Sequence, residues 1–297
     1  MMRKGLDNAQ ILINEPMRLH TTFAVGGPAD VLILPHTSDE LALALRWATA
    51  ENLPITVLGG GSNVLVLDGG IRGVVIQLND MRHRLEHIDN EIIVSTGYIL
   101  KDVAVYACCQ GLSGLEFAVG IPGTLGGAVF MNAGAYDGEM STIVKRVSTV
   151  DCLGTKHYYE KDRLRFTYRH SIFQDNNEVI SEITLSMETG DSQTIQHKMD
   201  ELTHRRASKQ PLEMHSAGST FKRPSGNFAG TLIEKTGLKG LSVGDAQVST
   251  KHAGFVINLG NASAKDILAL IHEVQLRVKD AHGVELEPEV RIIGSPK

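Results

Sequence analysis

One glycine-rich stretch in the first half of the chain indicates the fold most directly, and it reads Gly120-Ile121-Pro122-Gly123-Thr124-Leu125-Gly126-Gly127-Ala128. A shorter run directly follows a predicted strand over 54–58 and reads Gly59-Gly60-Gly61-Ser62-Asn63. Because glycine has no Cβ atom, such runs let backbone N–H groups converge on an anion such as a phosphate. Turns in a β-rich domain would also need many glycines, so both interpretations stay open here.

Glycine is concentrated in this part of the chain. The 30 glycines make up about 10% of the 297 residues, compared with roughly 7% in average proteins. Half of them, 15, lie between Gly59 and Gly138. This segment therefore contains many positions that need a positive φ or a close approach of bare backbone.

The glycine runs do not match the common nucleotide-binding signatures. Val64 stands where the third glycine of a Rossmann fingerprint would be, and the residues after it predict a strand instead of a helix. The Gly-Lys-Ser/Thr of a P-loop is missing as well. An ordinary NAD fold and a nucleoside triphosphatase are therefore disfavoured.

Composition and charge exclude several classes of protein. The chain has 29 basic and 34 acidic side chains, a net charge of −5, and no run of Lys or Arg longer than two, which argues against a nucleic-acid partner. With 42% hydrophobic and 21% charged residues it should form globular domains, two or three at this length.

Nothing in the sequence predicts export or membrane insertion. The segment Met1–Met17 has no apolar core of the length that a signal peptide needs, and no stretch approaches the ~18 apolar residues of a membrane span. Cys108, Cys109 and Cys152 show no spacing typical of a disulfide framework or of a zinc site. We expect a soluble, cytoplasmic protein without a metal.

Capping signals and apolar periodicity predict a mixed α and β organisation. Thr37-Ser38-Asp39-Glu40 and Ser263-Ala264-Lys265-Asp266 are capping boxes that each begin a helix, and Gly283 ends the second one. A long helix is predicted over 192–208, with Ile195, Met199, Leu202 and Arg206 on one side. The turn composition of 68–73 predicts that the strands on either side of it lie close together.

Three separated polar motifs are candidates for chemistry. They are Phe166-Thr167-Tyr168-Arg169-His170-Ser171-Ile172-Phe173, then Ser216-Ala217-Gly218-Ser219-Thr220-Phe221-Lys222-Arg223-Pro224, and finally Glu285-Leu286-Glu287-Pro288-Glu289-Val290-Arg291-Ile292-Ile293-Gly294.

The residues of these motifs by themselves leave their roles open. Arg169 could form a structural ion pair, or its planar guanidinium could bind a carboxylate. Ser219 could be an ordinary turn residue, and no Gly-x-Ser-x-Gly motif makes it a hydrolase nucleophile. The acidic residues near the end could line a solvated edge.

A local excess of positive charge follows the second motif. Between Thr220 and His252 five basic residues stand against two acidic ones, giving 5 − 2 = +3 in a chain of net charge −5. The basic residues are Lys222, Arg223, Lys235, Lys239 and Lys251, and the acidic ones are Glu234 and Asp245. Such a field suits a small dianionic ligand, although each lysine singly could simply be solvated.

Taken together, the glycine stretches, Thr22-Phe23-Ala24-Val25-Gly26-Gly27-Pro28-Ala29 and the three polar motifs resemble the MurB family of UDP-N-acetylenolpyruvoylglucosamine reductases over nearly the whole chain. The resemblance implies an α+β fold: a two-part FAD-binding domain of the p-cresol methylhydroxylase/vanillyl-alcohol oxidase type, and a C-terminal α+β substrate-binding domain. The implied domains are 1–80 and 81–192 for FAD, and 193–297 for substrate, with about 287–297 able to return to the FAD-binding part.

The resemblance also implies which residues bind the cofactor, a non-covalent FAD. They are Leu58, Gly59, Gly60, Gly61, Ser62, Asn63, Val64, Gly120, Ile121, Pro122, Gly123, Thr124, Gly126, Gly127, Ala128, Val179 and Ile180. Neither glycine run contains the His or Cys that tethers flavin covalently in other members of this fold.

Catalytic and substrate-binding residues are carried over from the family in the same way. Arg169 would be the electrophilic residue, Ser219 the proton donor and Glu289 the catalytic acid; Glu287 is the alternative acid if the register differs. Contacts to the nucleotide-sugar would come from Tyr168, Lys222, Arg223, Lys239 and His252.

The family reaction implies NADPH as co-substrate. NADPH would reduce the flavin, hydride would pass from flavin N5 to C3 of the enolpyruvyl group, and Ser219 would protonate C2 to give UDP-N-acetylmuramate for peptidoglycan synthesis. The interval from Arg169 to Ser219, 219 − 169 = 50 residues, is typical of the compact second type of the family. A sugar or alcohol oxidase of the same fold and a non-catalytic nucleotide-sugar binding module are the alternatives.

Overall fold

The structure is a computed structural model that describes residues 9–297. Residues 1–8, which belong to the N-terminal segment and to the first predicted domain, lie outside the described residues. Within residues 9–297 no helix combines the length and the apolar character needed to cross a bilayer.

Helices are distributed along the whole described chain. They are α1 Ser38–Ala50, α2 Leu100–Cys109, α3 Leu125–Phe130, α4 Met140–Ile143, α5 Ser192–Lys209, α6 Ala229–Lys235 and α7 Ala264–His282.

Strands alternate with these helices, and many of them are short. They are β1 Gln10–Pro16, β2 Pro28–Leu34, β3 Ile55–Leu58, β4 Val64–Val66, β5 Ile71–Gln77, β6 Leu85–Ile88, β7 Glu91–Ser95, β8 Leu112–Ser113, β9 Gly134–Ala135, β10 Gly138–Glu139, β11 Val144–Val150, β12 Lys156–Glu160, β13 Val179–Ser186, β14 Glu188–Thr189, β15 His215–Ser216, β16 Ser242–Val243, β17 Ala246–Val248, β18 Val256–Asn258 and β19 Arg291–Ile293.

Three larger sheets organise these strands. One has the order β1-β2-β5-β3, with β3 and β5 parallel. The second is antiparallel with the order β12-β11-β13-β7-β6, and the third is antiparallel with the order β15-β18-β17-β16. Two-stranded pairs are formed by β9 with β10, β8 with β14, and β4 with β19.

The chain divides into two compact units. Unit 1 contains the described residues up to Ile13, together with Val31–Gly60 and Gly73–Arg206, and unit 2 contains Asn14–Asp30, Gly61–Arg72 and Ala207–Lys297. The border between the units therefore falls inside the first glycine run, after Gly60.

Unit 1 has two apolar cores, and unit 2 has one. In unit 1, α1 packs with the first sheet, whereas α2, α3 and α5 pack with the five-stranded sheet. In unit 2, α6 and α7 pack with the third sheet. The apolar stripe that the sequence predicts on α7 is buried at every position, namely Ile267, Leu270, Ile271, Val274 and Val278.

The predicted helix boundaries are confirmed where a side chain caps the backbone. Thr37 accepts a hydrogen bond from the Glu40 N–H group at the start of α1. The capping box of Ser263 and Asp266 is present at the start of α7, and Gly283 follows its last turn with φ 67°. These signals are local, which is why the sequence alone places them correctly.

The strands on either side of residues 68–73, which we expect to lie close together, belong to different sheets. β4 pairs in parallel with the C-terminal strand β19, whereas β5 belongs to the sheet that contains β3. Gly70, with φ 80°, lies in the turn between β4 and β5. A turn composition indicates that the chain changes direction, but not which partner each strand then finds.

Candidate active site

In unit 1 the two glycine runs lie against each other. A Cβ atom on Gly59 would lie 2.5 Å from Oγ1 of Thr124, and one on Gly60 would lie 2.9 Å from Cα of Gly123. Real Cβ atoms do not approach other atoms this closely, so the contact between the two runs requires glycine at both positions.

The second glycine stretch leads into the first turn of α3. Thr124 is the N-cap of this helix and accepts from the Gly127 N–H group at 3.4 Å. A Cβ atom on Gly126 would lie 1.8 Å from Oγ1 of Thr96, and the Gly126 N–H group donates to the Thr96 carbonyl at 3.0 Å. Glycine is therefore the only residue type that fits at position 126, next to the Thr96 side chain.

The remainder of the first glycine run belongs to unit 2. Gly61 has φ 63°, and its carbonyl accepts from the Thr22 N–H group at 3.1 Å. The Asn63 side chain donates to the Glu289 carbonyl at 3.3 Å, and the Asn63 carbonyl accepts from the Arg291 N–H group at 3.0 Å. Unit 2 thus ties this part of the run to the chain segment that carries Glu289.

Two of the predicted cofactor contacts have buried side chains. Val179 and Ile180, at the start of β13, are each 4% exposed. Val179 packs in the core around α1, and Ile180 packs in the core of the five-stranded sheet. Since both side chains are committed to a core, only their backbone groups are left to contact a cofactor.

One cationic residue near the second glycine stretch was missed as a site residue by the sequence analysis. Cδ of Arg206 lies 2.6 Å from where a Cβ atom on Gly120 would be, so the arginine stem occupies the space that this glycine leaves. Its Nε atom is buried without a hydrogen-bond partner, and burial lowers the pKa of the guanidinium. Within residues 9–297, no carboxylate lies within ion-pair distance of it.

A half-buried guanidinium without a counter-ion suits an anionic ligand. Together with bare glycine backbone at Gly59, Gly60 and Gly126, it fits the requirements of a flavin nucleotide, whose diphosphate is negatively charged. The sequence did hold a signal for Arg206, because it placed this charged residue on the otherwise apolar side of α5.

Arg169 lies in unit 1 at the tip of a tight turn. Thr167 and His170 exchange two backbone hydrogen bonds of 3.1 Å each, which leaves Tyr168 and Arg169 as the loop residues. Arg169 has φ 58°, and its Cζ atom lies 5.0 Å from the centroid of the Tyr168 ring. The Tyr168 side chain is 53% exposed. The turn therefore presents a guanidinium and an aromatic ring next to each other.

Unit 2 brings the segments of Ser219 and Glu289 side by side. The Glu289 N–H group donates to the Thr220 carbonyl at 2.8 Å, and the Lys222 N–H group donates to the Glu287 carbonyl at 2.8 Å. Between these bonds, Phe221 and Pro288 form an antiparallel bridge. Two motifs that lie about seventy residues apart are thus paired through their backbones.

The environments of Glu287 and Glu289 differ. Glu287 is exposed and forms an ion pair with Lys222, whereas Glu289 is half-buried. A carboxyl group that is half-buried suits a role in chemistry better than one held by a surface lysine. Of the two candidates for the acid, Glu289 is thus the less solvated one, and its role stays a prediction.

The predicted nucleotide-sugar contacts all lie in unit 2 except Tyr168. Lys239 forms a 2.6 Å ion pair with Glu234, as Lys222 does with Glu287. Cζ of Arg223 lies 3.9 Å from the centroid of the Phe228 ring. Part of the positive charge that the sequence shows here is therefore balanced by neighbouring carboxylates.

His252 is held in one tautomer. Its Nδ1 atom accepts from the Gly254 N–H group at 3.1 Å, so the neutral ring carries its hydrogen on Nε2. Burial, and then the positive charge of Lys239, lowers the pKa of His252. The side chain is thus a neutral hydrogen-bond donor through Nε2 near pH 7.

Two family models match the chain. The model described as "UDP-N-acetylenolpyruvoylglucosamine reductase, C-terminal domain" matches residues 210–293, and the one described as "FAD binding domain" matches residues 29–157. The first match includes Ser219 and Glu289, and the second includes both glycine runs.

Curated relatives and a solved structure match over almost the full length. A UDP-N-acetylenolpyruvoylglucosamine reductase of Clostridium kluyveri is 47% identical over 99% of this chain and 96% of its own length. One of Clostridium perfringens is 49% identical over 96% of this chain and 93% of its own.

The crystal structure of UDP-N-acetylenolpyruvylglucosamine reductase (MurB) from Thermus caldophilus superimposes with a TM-score of 0.81 at 36% identity, covering 97% of this chain and 99% of that one. The fold class and the resemblance inferred from the sequence are confirmed. The chain belongs to the family of UDP-N-acetylenolpyruvoylglucosamine reductases, which are FAD-dependent oxidoreductases.

Proposed function

We propose that this protein reduces UDP-N-acetylenolpyruvoylglucosamine to UDP-N-acetylmuramate, using NADPH as the electron donor and non-covalently bound FAD as the carrier. The observation that carries the proposal is the 47% identity over 99% of the chain to a reductase with that name. The product would serve peptidoglycan precursor synthesis in the cytoplasm, a location in keeping with the three cysteines, none of which forms a disulfide.

The FAD would be held by the glycine runs. Bare backbone at Gly59, Gly60 and Gly123 would offer N–H groups to the diphosphate, and Gly61 and Asn63 are proposed as further FAD contacts. FAD, when bound, would accept a hydride from NADPH and pass it from N5 to C3 of the enolpyruvyl group. The flanking residues proposed to complete this site are Leu58, Ser62, Val64, Ile121, Pro122, Thr124, Gly126, Gly127 and Ala128, with the backbone of Val179 and Ile180.

Three side chains would stabilise charge and supply a proton at the enolpyruvyl group. The Arg169 guanidinium would stabilise the negative charge that develops on C2 and its carboxylate, and Glu289 would be the catalytic acid. The Ser219 hydroxyl would donate a proton to C2. The protein's part in the reaction is thus positioning and electrostatics, since the cofactor supplies the hydride chemistry.

The nucleotide-sugar would be bound by a set of donors. Lys222, Arg223 and Lys239 would meet the diphosphate, exchanging their present carboxylate and aromatic neighbours for phosphate oxygens. His252 would donate from Nε2 without carrying a charge. Tyr168 would contact the substrate next to Arg169.

The same proposal assigns FAD binding and substrate binding to different parts of the chain. We infer that 1–80 and 81–192 serve FAD binding, that 193–297 serves substrate binding, and that the enzyme is of the compact second type.

An anaerobic flavin assay tests the proposed function. Purified protein should be yellow and release intact FAD on denaturation, and NADPH should bleach the flavin. Adding UDP-N-acetylenolpyruvoylglucosamine without oxygen should then restore the flavin absorbance and yield UDP-N-acetylmuramate.

The outcome separates the alternatives. Colourless protein that still binds the nucleotide would indicate a non-catalytic binding module. A flavin whose absorbance returns only when oxygen is admitted would indicate an oxidase, and either result would overturn the proposal.

A further inference from the structure

We propose that Gln174 is a positioning residue for Arg169, holding the carbonyl of a strained turn so that the guanidinium points in one direction. This inference rests on the proposed function, in which Arg169 acts on the enolpyruvyl group. All residues that carry it lie in unit 1.

The backbone of Arg169 is in a conformation that rarely suits its residue type. Of the two loop residues between Thr167 and His170, only Arg169 has a positive φ, 58°. That position of a two-residue turn normally selects glycine or asparagine, because a Cβ atom there is crowded by the backbone. Residues with such strain persist where the surrounding structure fixes them.

Gln174 supplies that fixation at the Arg169 carbonyl. Its Nε2 atom donates to the Arg169 carbonyl and to the Phe130 carbonyl, both at 2.9 Å. The same amide group therefore joins the strained residue to the last residue of α3. The Phe130 carbonyl also accepts from the Ser171 hydroxyl at 2.8 Å, which adds a second tie from this loop to α3.

A second amide holds the other end of the turn. Nδ2 of Asn132 donates to the Thr167 carbonyl at 3.0 Å, and its Oδ1 atom accepts from the Ser141 N–H group at 2.9 Å. The Asn132 side chain is 1% exposed. One end of the Tyr168–Arg169 turn is thus bonded to Asn132, and the other is linked through Gln174 to Phe130, the last residue of α3.

This attachment links Arg169 to the second glycine stretch. Helix α3 begins at Leu125, inside that stretch, and ends at Phe130, whose carbonyl Gln174 binds. A six-residue helix is a short, stiff connection. Gln174 therefore sets the position of Arg169 relative to the backbone proposed to hold the flavin.

Replacing the amide tests this role. Gln174→Leu keeps the size of the side chain but removes one donor from each of the two carbonyls. Since small displacements of a catalytic group can cost ~10²-fold, we expect kcat/KM for the enolpyruvyl nucleotide to fall by about 10-fold to 10²-fold. FAD content and the rate of flavin reduction by NADPH should change by less than about twofold, because the displacement would affect only Arg169.

The matched control is Gln193→Leu. Gln193 is an exposed residue of α5 in the same unit, and its side chain should tolerate the change without effect on either half-reaction.

A double-mutant cycle separates positioning from general stability. If Gln174 acts through Arg169, then Gln174→Leu should have almost no further effect on kcat/KM in an Arg169→Ala background. Losses that simply add would overturn the inference. Wild-type protein without any turnover of the nucleotide would instead overturn the proposed function, so the two failures are distinguishable.

A pH profile gives a readout that does not depend on how well Gln174→Leu folds. The carboxylate of Gln174→Glu cannot donate to the two carbonyls, whereas its protonated form can donate once. Relative to wild type, the activity of this variant should recover as the pH falls toward the range in which a glutamate takes up a proton. A constant ratio across that range would contradict the proposed donor role.

Discussion

At Arg169 the backbone conformation costs about 1–3 kcal/mol compared with an ordinary conformation, as is typical of strained positions at functional sites. A glycine would avoid this cost, so the presence of a charged side chain here is informative. Its neighbour Tyr168 stacks with the guanidinium and is itself half exposed. The turn thus keeps Arg169 in an unfavourable backbone conformation and places its guanidinium next to the Tyr168 ring.

Ser219 is the residue whose removal should affect only one half of the reaction. Ser219→Ala removes the proposed proton donor, and by analogy with the loss of one stabilising donor we expect kcat to fall by at least ~10²–10³-fold. Flavin reduction by NADPH should stay near normal. Single-turnover measurements of the two half-reactions check this.

The control for Ser219 is another serine of unit 2. Ser225 is exposed in the following loop, and Ser225→Ala should leave both half-reactions unchanged. Equal slowing of both half-reactions in Ser219→Ala would argue against its assignment as proton donor.

His252 should make the stability of the protein depend on pH. Its pKa is lowered in the folded state, so below the ordinary histidine value of about 6.5 the unfolded chain binds more protons than the folded one. Stability should therefore fall as the pH falls through and below that value, and should not depend on this residue above it. Urea unfolding of wild type and of His252→Gln measures how the free energy of unfolding of each depends on pH. The range from about pH 8 to about pH 5 spans the ordinary histidine value.

The expected result is a smaller loss of stability at acid pH in His252→Gln than in wild type. His204→Gln, on the exposed surface of α5, is the matched control and should follow the wild-type curve. Coincident curves for wild type and His252→Gln would show that this histidine is not held neutral.

Near the start of α3, the backbone of Gly126 lies in close contact with the buried Thr96 side chain. Thr96 is fully buried, and its Oγ1 atom has no hydrogen-bond partner among the described residues. Gly126 lies directly over that atom, and both residues are joined by a backbone hydrogen bond. The start of the helix is therefore fixed by a close contact that leaves no room for a Cβ atom.

Adding a methyl group at this contact should destabilise the protein. Gly126→Ala would place its Cβ atom 1.8 Å from Oγ1 of Thr96, and overpacking of this kind typically costs about 1–3 kcal/mol of the free energy of unfolding. FAD affinity should fall as well, because the second glycine stretch would shift. Urea unfolding and FAD titration measure the two effects.

Thr96→Ala provides the compensating change. Alone it should be nearly neutral, because it removes a buried hydroxyl that lacks a partner. Combined with Gly126→Ala it removes the closest clash and should recover part of the lost stability. Independent, additive losses in the double variant would show that the contact with Thr96 is not what restricts residue 126.

At the scale of the whole molecule, the proposed functional residues are divided between two units. Arg169 and the second glycine stretch belong to unit 1, whereas Ser219, Glu289 and Asn63 belong to unit 2. The first glycine run contributes Gly59 and Gly60 to unit 1 and its later residues to unit 2. We expect FAD to bind this run.

Such a ligand should stabilise the folded chain by mass action. If FAD binds the folded state only, it adds about 2.7 kcal/mol to the free energy of unfolding when its free concentration is 100 times Kd. Chemical unfolding of the apoprotein at increasing FAD concentrations checks this. A free energy of unfolding that stays constant across the titration would contradict specific binding of FAD.

Several elements could be predicted correctly because their signals in the amino-acid sequence are local. The start of α1 at Thr37, the capping box and C-cap of α7, and the apolar stripe of α7 were all predicted and are all present. These features depend on residues three or four positions apart, which a single sequence displays directly. The motifs of Arg169, Ser219 and Glu289 were likewise visible, although their proposed roles came from the resemblance to a family.

The contacts between distant segments became visible only in the folded protein. The pairing of β4 with β19, the bridge between Phe221 and Pro288, and the contact between the two glycine runs join residues that are far apart along the chain. It also showed Arg206 without a counter-ion and Gln174 bonded to the Arg169 carbonyl. Such contacts depend on how side chains pack and are buried across each whole unit. A local pattern of residues does not specify this packing.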